Sequence, residues 1–356
     1  MLGIALATTN SVPKSMSQSK ARLIRGAGAA AAAVGGYALK QFLDGPDFTE
    51  VVSLEGKNVA ITGANVGLGY ENALAVAKMS ANVYLLCRSR EKGLESVQKI
   101  KEASKNDNVF FVQCDLADLK SIDKCSNELR SILPGKRIDV LVNNAGVMAI
   151  PTRELTNDGF EKQMGINHLG HFALSAKVFD LLKNSKSARI INVSSSAHLF
   201  GKGSSVASDF MLEKESAYAP WLAYGNSKLC NILFTKELQK KIEQKGYDNI
   251  NAYTLHPGGV RTELGRYLID KDHLPIYAYP LIPVLGGPLL YFTKSPQKGA
   301  QTQIFLSASQ TIGRGQAGSF FDNSVVADTS SDSKDASLMA AVWAKSEALT
   351  NIKFSL

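Results

Sequence analysis

The sequence predicts an α/β protein: one domain built on a doubly wound parallel sheet, behind an N-terminal segment of different character. Three observations carry this. From about Glu55 onward, short β-branched runs alternate with stretches of helical spacing. Most of the short runs are apolar throughout, as strands covered on both faces must be. The first of them ends in a glycine-rich turn that opens a helix. Alternation on this scale builds a parallel sheet around one core.

Strands are expected at Asn58–Thr62, Asn82–Cys87, Val109–Cys114, Asp139–Val142, Arg189–Val193, Ile250–Leu255 and Ser319–Phe321. Helical spacing fills intervals such as Arg90–Lys105, Leu119–Leu133 and Phe160–Leu182. A capping box over Asp158-Gly159-Phe160-Glu161 is expected to open the last of these. The chain has 356 residues, 45% hydrophobic and 20% charged, which is enough for a sizeable core. Sheets of this kind bind ligands at the carboxyl ends of their strands.

Residues 1–44 read as a targeting or membrane-anchor segment, and 45–356 as the folded domain. No acidic residue precedes Asp44, whereas Lys14, Lys20, Arg22, Arg25 and Lys40 do. Much of the net charge of +8 therefore belongs to this leader. A nucleic-acid partner would need the charge on the folded body, so that class is excluded. A basic, Ser/Thr-rich, acid-free leader reads as a transit segment for a plastid or mitochondrion. The Ala/Gly run from Gly26 to Leu39 is short and weakly apolar for a span, which needs about 20 apolar residues. It reads as a weak anchor, with the ER membrane as the alternative, or as a plain tail.

The four cysteines, Cys87, Cys114, Cys125 and Cys230, form no C-x-x-C pair and are expected to be reduced and buried. His168 and His171 have no third partner, so no metal site is expected.

Val59-Ala60-Ile61-Thr62 runs directly into Gly63-Ala64-Asn65-Val66-Gly67-Leu68-Gly69. Glycines there permit a tight turn and close approach of backbone to a pyrophosphate, which then faces the positive end of the following helix. The second strand ends in Cys87-Arg88-Ser89-Arg90, with Lys92 behind. An acidic residue at that place would hold a ribose hydroxyl, and an Arg accommodates a 2′-phosphate. NADP(H) is therefore expected over NAD(H). Further on, Tyr224 and Lys228 stand four apart at the head of an amphipathic run and share a helix face. An ammonium beside a phenol favours the phenolate, so Lys228 is expected to lower the pKa of Tyr224.

Taken together these residues resemble the short-chain dehydrogenase/reductase family, over about residues 57–265. Thr62 to Gly69 looks like its cofactor loop, with Gly63, Asn65, Gly67, Leu68 and Gly69 as cofactor contacts. Asp115-Leu116 looks like its adenine contact, and Asn143-Asn144-Ala145-Gly146 like its fourth-strand motif. Asn167 falls at its helix asparagine, and Asn192-Val193-Ser194-Ser195 resembles its catalytic-serine strand. His256-Pro257-Gly258-Gly259-Val260-Arg261-Thr262 is similar to the turn that reaches the nicotinamide amide, through Pro257, Gly258, Val260 and Thr262.

The resemblance implies a Rossmann-type fold and hydride transfer between nicotinamide and a carbonyl or alcohol carbon. Tyr224 would move the proton. Lys228 would tune it and hold the nicotinamide ribose, Ser195 would bind the substrate oxygen, and Asn167 would hold a water joining Lys228 to solvent. Ser195 stands further ahead of Tyr224 than in many members, and Ser196 is the fallback hydroxyl. Asn167-His168-Leu169-Gly170-His171-Phe172, Ser227-Lys228-Leu229 and Arg261-Thr262-Glu263-Leu264 are most similar to the retinol dehydrogenase branch, with light-dependent protochlorophyllide reductases as near relatives.

The apolar, proline-broken stretch from Ile276 to Phe292 is either a lid for a lipophilic substrate, touching a bilayer peripherally, or a packed surface loop. Retinoid-like, isoprenoid and fatty aldehydes or ketones all fit. Two other readings stand beside this one: a plastid pigment-biosynthesis reductase, and a non-catalytic NADP(H)-binding regulator. Family members also form homodimers.

Overall fold

The computed structural model describes residues 34–214, 216–261, 291 and 293–356. The chain divides into two compact units, Met1–Leu43 and Asp44–Leu356. In the first, the described residues 34–43 are helical. No helix among the described residues is long and apolar enough to cross a membrane.

The second unit is built on one eight-stranded sheet. Its strands are β1 (Asn58–Thr62), β2 (Asn82–Cys87), β3 (Val109–Gln113), β4 (Val140–Asn143), β5 (Ala188–Val193), β6 (Ile250–His256), β7 (Phe320–Asp322) and β8 (Val325–Ala327). They lie in the order β3-β2-β1-β4-β5-β6-β7-β8. All neighbours are parallel except β7 and β8. The order turns back between β1 and β4, and the crevice at such a switch point is where these sheets bind ligands.

The helices that matter for the site are α1 (Gly67–Lys78), α2 (Arg90–Ser104), α3 (Leu119–Ile132), α4 (162–177), α5 (Pro220–Gln244), α6 (Gln301–Ala308) and α7 (Ala336–Thr350). Strand alternation sends side chains to two cores. Ala60, Tyr84, Leu86 and Leu141 pack on one face with Phe172, Phe179 and Phe234. Val59, Ile61, Val83, Leu85 and Val142 pack on the other with Ala73, Val76 and Leu306. Both faces of the central strands are dry, which is why their sequences read as unbroken apolar runs. All four cysteines are buried and free.

Three details differ from expectation. Strand β8 was absent from the sequence reading. It is the return arm of a two-residue hairpin whose turn residues, Asn323 and Ser324, both have positive φ, at 48° and 65°. Asn-Ser lacks the glycine that normally advertises such a turn. The expected helix over Phe160–Leu182 begins only at Lys162 and is wound as a π-turn over Gly165–Leu169. It ends at Lys177, before a separate turn at Phe179–Lys183. Its cap is also different: Glu161 itself accepts from Gln163 N and Met164 N. Asp158 turns away to accept from Leu119 N at 2.9 Å, tying this loop to the start of α3.

Candidate active site

The expected site residues lie at or just beyond the carboxyl ends of β1 to β6 or on α4 and α5, with Thr262 outside the described residues. The leader up to residue 33 and the stretch Ile276–Phe292, apart from Tyr291, also lie outside them.

The glycine-rich turn is held from behind. Gly63 has φ +64°, and a Cβ there would stand 3.0 Å from Ala145 Cβ. Asn144 Nδ2 donates to Thr62 O at 2.8 Å, and Asn144 N and Ala145 N both donate to Thr62 Oγ1, at 2.8 and 2.9 Å. The loops after β1 and β4 are thus stitched together through Thr62. Asn65 O accepts from Ser96 Oγ of α2 at 3.0 Å, and Gly63 N donates to Leu86 O at 2.8 Å, so the turn is also tied to β2 and α2. Helix α1 begins after Val66 with no side-chain cap. Its first N–H groups are available to an anion. Leu68 and Val260 both flank Gly299, so the β1 loop meets the turn after β6. Pro257 is buried in that turn, and Gly258 bends it with φ +88° against Lys294.

Arg88 is exposed at the end of β2. Arg90 lies over Phe111, 5.8 Å from the ring centroid. Asp115 accepts from Ala117 N at 3.0 Å, and Leu116 is buried against Gly170. Asn143 is turned inward, donating to Ser175 Oγ and Asn192 Oδ1 at 2.9 and 2.7 Å. Its side chain braces β4 against β5 rather than facing the cleft.

Tyr224 and Lys228 lie together on α5, with Lys228 Nζ 5.6 Å from the tyrosine ring centroid. Both are 3% exposed. Burial pushes the Tyr224 phenol up to about 12, opposed by a hydrogen bond with Ser195. Burial also brings Lys228 down to about 8. The expected lowering of Tyr224 by Lys228 is therefore not what the fold produces. Lys228 Nζ reaches past the phenol to donate to Val193 O at 3.0 Å, and loss of water dominates for both groups.

The three serines after β5 separate by contact. Ser194 Oγ donates to Lys228 O at 2.7 Å. Ser195 caps the turn Ser196–Phe200, accepting from Ala197 N at 3.1 Å, and bonds Tyr224. Ser196 is exposed, and its N–H donates to His256 Nδ1 at 3.0 Å.

The π-turn aims Asn167 at the same place. Its Nδ2 donates to Val147 O and Ser227 Oγ, both at 2.9 Å, and its Oδ1 accepts from Val147 N at 2.8 Å. Both amide hydrogens are committed, so this side chain braces the β4 turn against α5. The sequence reading did not single out His171 or Ser227 as site residues. Their signal was spacing: His171 is one helical turn beyond Asn167, and Ser227 adjoins Lys228.

A dinucleotide fits this arrangement on the structure's own terms. An uncapped helix start faces the β1 loop, and a buried ammonium carries a single protein hydrogen bond at the cleft. Among the described residues, no group of three His, Cys, Asp or Glu is placed to hold a metal ion.

Comparison with known proteins agrees with this geometry. The family model for short chain dehydrogenases matches residues 57–273. Mouse retinol dehydrogenase 11 is 36% identical over 305 residues, covering 86% of this chain and 90% of its own length. Human retinol dehydrogenase 13 is 36% identical over 316 residues, 88% of this chain and 91% of that protein. An uncharacterized protein from Mycobacterium paratuberculosis superposes with a TM-score of 0.67 at 32% identity, covering 87% of this chain and all of its own. A Shigella flexneri short chain dehydrogenase solved with NADP superposes at a TM-score of 0.58 and 22% identity, covering 78% of this chain and 100% of its own, a likeness of fold. The chain belongs to the short chain dehydrogenase family, as a retinol dehydrogenase-like oxidoreductase.

Proposed function

We propose that the protein is an NADP(H)-dependent carbonyl reductase acting on a lipophilic aldehyde or ketone, with a retinoid-like compound as the leading class. The observation that carries this is the Ser195–Tyr224–Lys228 group. The Tyr224 phenol is hydrogen-bonded to Ser195, and Lys228 Nζ lies 5.6 Å from its ring centroid. A protonated phenol beside a hydroxyl and an ammonium is placed to pass its proton to a carbonyl oxygen.

The roles follow from the contacts. Tyr224 Oη gives its proton to the substrate oxygen while Ser195 Oγ donates a hydrogen bond to the same oxygen and stabilises its developing charge. Lys228, anchored on Val193 O, would direct its remaining N–H bonds to the nicotinamide ribose, with its ammonium 5.6 Å from the Tyr224 ring centroid. Asn167 keeps the Val147 turn and α5 in register. The β1 loop from Gly63 to Gly69 and the first N–H groups of α1 hold the pyrophosphate. Asp115 and Leu116 would hold the adenine, and Ala145, Gly146 and the turn Pro257–Val260 would hold the nicotinamide side. Exposed Arg88, past β2, takes the 2′-phosphate. When bound, the reduced nicotinamide supplies the hydride to the substrate carbon. The relatives' shared name, retinol dehydrogenase, and the apolar sequence after the β6 turn support an apolar substrate.

The test uses the full chain, following NADPH absorbance with retinal, a medium-chain aldehyde, a steroid ketone and a quinone. Oxidation of NADPH with retinal or another lipophilic carbonyl is the expected result. NADPH binding without turnover on any of them would replace this reading with that of a cofactor-binding regulator.

A further inference from the structure

His171 is fully enclosed in α4, 2% exposed, and both of its ring nitrogens are engaged. Nδ1 lies 3.0 Å from the carbonyl of Asn167, and Nε2 lies 2.9 Å from Thr62 Oγ1. Hydrogen-bond bookkeeping fixes the tautomer. A carbonyl only accepts, so Nδ1 carries the hydrogen. Thr62 Oγ1 already accepts from Asn144 N and Ala145 N. Its single hydrogen can therefore go to Nε2 at 2.9 Å, in preference to Val142 O at 3.4 Å. The ring is neutral, because burial pushes it down to about 3.

The two ends of this imidazole belong to different halves of the site. Thr62 is the root of the β1 loop and the point where the loops after β1 and β4 are sewn together. Asn167 is the π-turn residue whose side chain braces Val147 and, through Ser227, the helix carrying Tyr224 and Lys228. His171 bridges the cofactor loop and the catalytic brace.

We propose that His171 is a positioning residue that couples the seating of the dinucleotide, through Thr62, to the alignment of the catalytic helix, through Asn167. This rests on the reductase reading above and deepens it. The two hydrogen bonds are separable by substitution. In His171→Asn the amide nitrogen takes the place of Nδ1, keeping the bond to Asn167 O and releasing Thr62. In His171→Gln the longer amide takes the place of Nε2, keeping Thr62 and releasing Asn167 O.

The experiment measures NADPH dissociation constants and kcat with retinal, or with the best carbonyl found, for the full-length wild type and both variants. His171→Asn is expected to bind NADPH roughly tenfold more weakly with kcat nearly unchanged, about what one buried hydrogen bond is worth. His171→Gln is expected to bind NADPH normally and to lose roughly tenfold in kcat. A shared loss would overturn the proposal, because it would mean a purely structural histidine, and so would wild-type behaviour in both. If neither variant folds, Thr62→Val approaches the same bond from its other end, and unchanged NADPH affinity there would overturn it. A wild type that binds NADPH but turns over no carbonyl would remove the reductase reading, whereas an active wild type with unsplit variants would remove only the coupling.

Discussion

Lys228 Nζ is bonded to the carbonyl of Val193 at 3.0 Å, and Asn231 Nδ2 donates to that same carbonyl at 3.2 Å. The end of β5 thus presents one oxygen to two side chains of α5. This clamp, with Ser194 Oγ on Lys228 O, locks the strand that delivers Ser195 to the helix that carries Tyr224. The relative position of the serine and tyrosine is thus set by three buried side-chain-to-backbone hydrogen bonds.

Tyr224→Phe keeps the ring and its burial and removes only the hydroxyl. Its turnover is expected to fall by about 10² to 10⁴, the usual share of acid–base catalysis, with NADPH affinity within about twofold of wild type. Single-turnover kinetics beside equilibrium titration of NADPH separates the two quantities. Near-normal turnover would remove Tyr224 from the mechanism.

The Lys228 ammonium is expected to set an alkaline limit. With its pKa pushed down to about 8, it is charged below that pH and neutral above it. Activity should therefore decline as pH rises through about 8, well before Tyr224 ionises near 12. A pH profile of kcat for carbonyl reduction tests this, and a flat profile through pH 9 would contradict it. Lys228→Met should abolish the limb together with most of the rate.

Arg88 stands at the end of β2 with no acidic neighbour to take a ribose hydroxyl. A guanidinium on a phosphate is worth about 1.5–3 kcal/mol, or roughly 10- to 100-fold in affinity. Arg88→Ala should lose that much NADPH affinity while NADH affinity barely changes. Comparison of the two dissociation constants in wild type and variant is decisive, and an unchanged ratio would reassign the 2′-phosphate contact.

The strands, the glycine turn and the Tyr224/Lys228 pair were legible in the sequence because each depends on local pattern: apolar runs, a turn before a helix, and a four-residue spacing. What was not legible depends on distance across the fold. Asn143 and Asn144 read alike in sequence, yet one braces β5 and the other grips Thr62, a choice made by strand pleat. The direction of the Tyr224 shift followed from total burial, which no neighbouring residue reveals. The π-turn at Gly165–Leu169 and the hairpin at Asn323–Ser324 carry no residue type that demands them.

Buried neutral histidines make the fold acid-sensitive. His168 is lowered to about 4 and His171 to about 3, both by burial. Between those values and an unfolded pKa near 6.5, the unfolded chain binds protons that the folded one does not. Their stabilising contribution is complete above pH 6.5 and declines as pH falls, on the order of 1 kcal/mol per pH unit for each ring. Thermal melts from pH 7.5 to 5 should show a falling midpoint. His168→Gln, which can keep the bond to Ser346 Oγ, should shallow that dependence.

Gly225 follows Tyr224 on α5. A Cβ there would stand 2.7 Å from Gly201 N, 2.8 Å from Ala197 O and 2.9 Å from Phe200 C. All three are backbone atoms of the turn that Ser195 caps, so no side chain can move aside. Gly225→Ala gains helix propensity of about 1 kcal/mol. Against this stands the forced separation of α5 from the Ser196–Phe200 turn, an overpacking cost of about 1–3 kcal/mol or more. The clash should win, lowering the midpoint of denaturant unfolding. The same displacement draws Ser195 away from Tyr224, so kcat should fall even under conditions where the variant is fully folded. Gly246→Ala, which meets nothing within 4 Å but sits at φ +73°, is the control. It should lose stability through backbone strain alone and leave kcat untouched. If the two alanines cost the same stability and neither changes kcat, contact between α5 and the serine turn does not set the site.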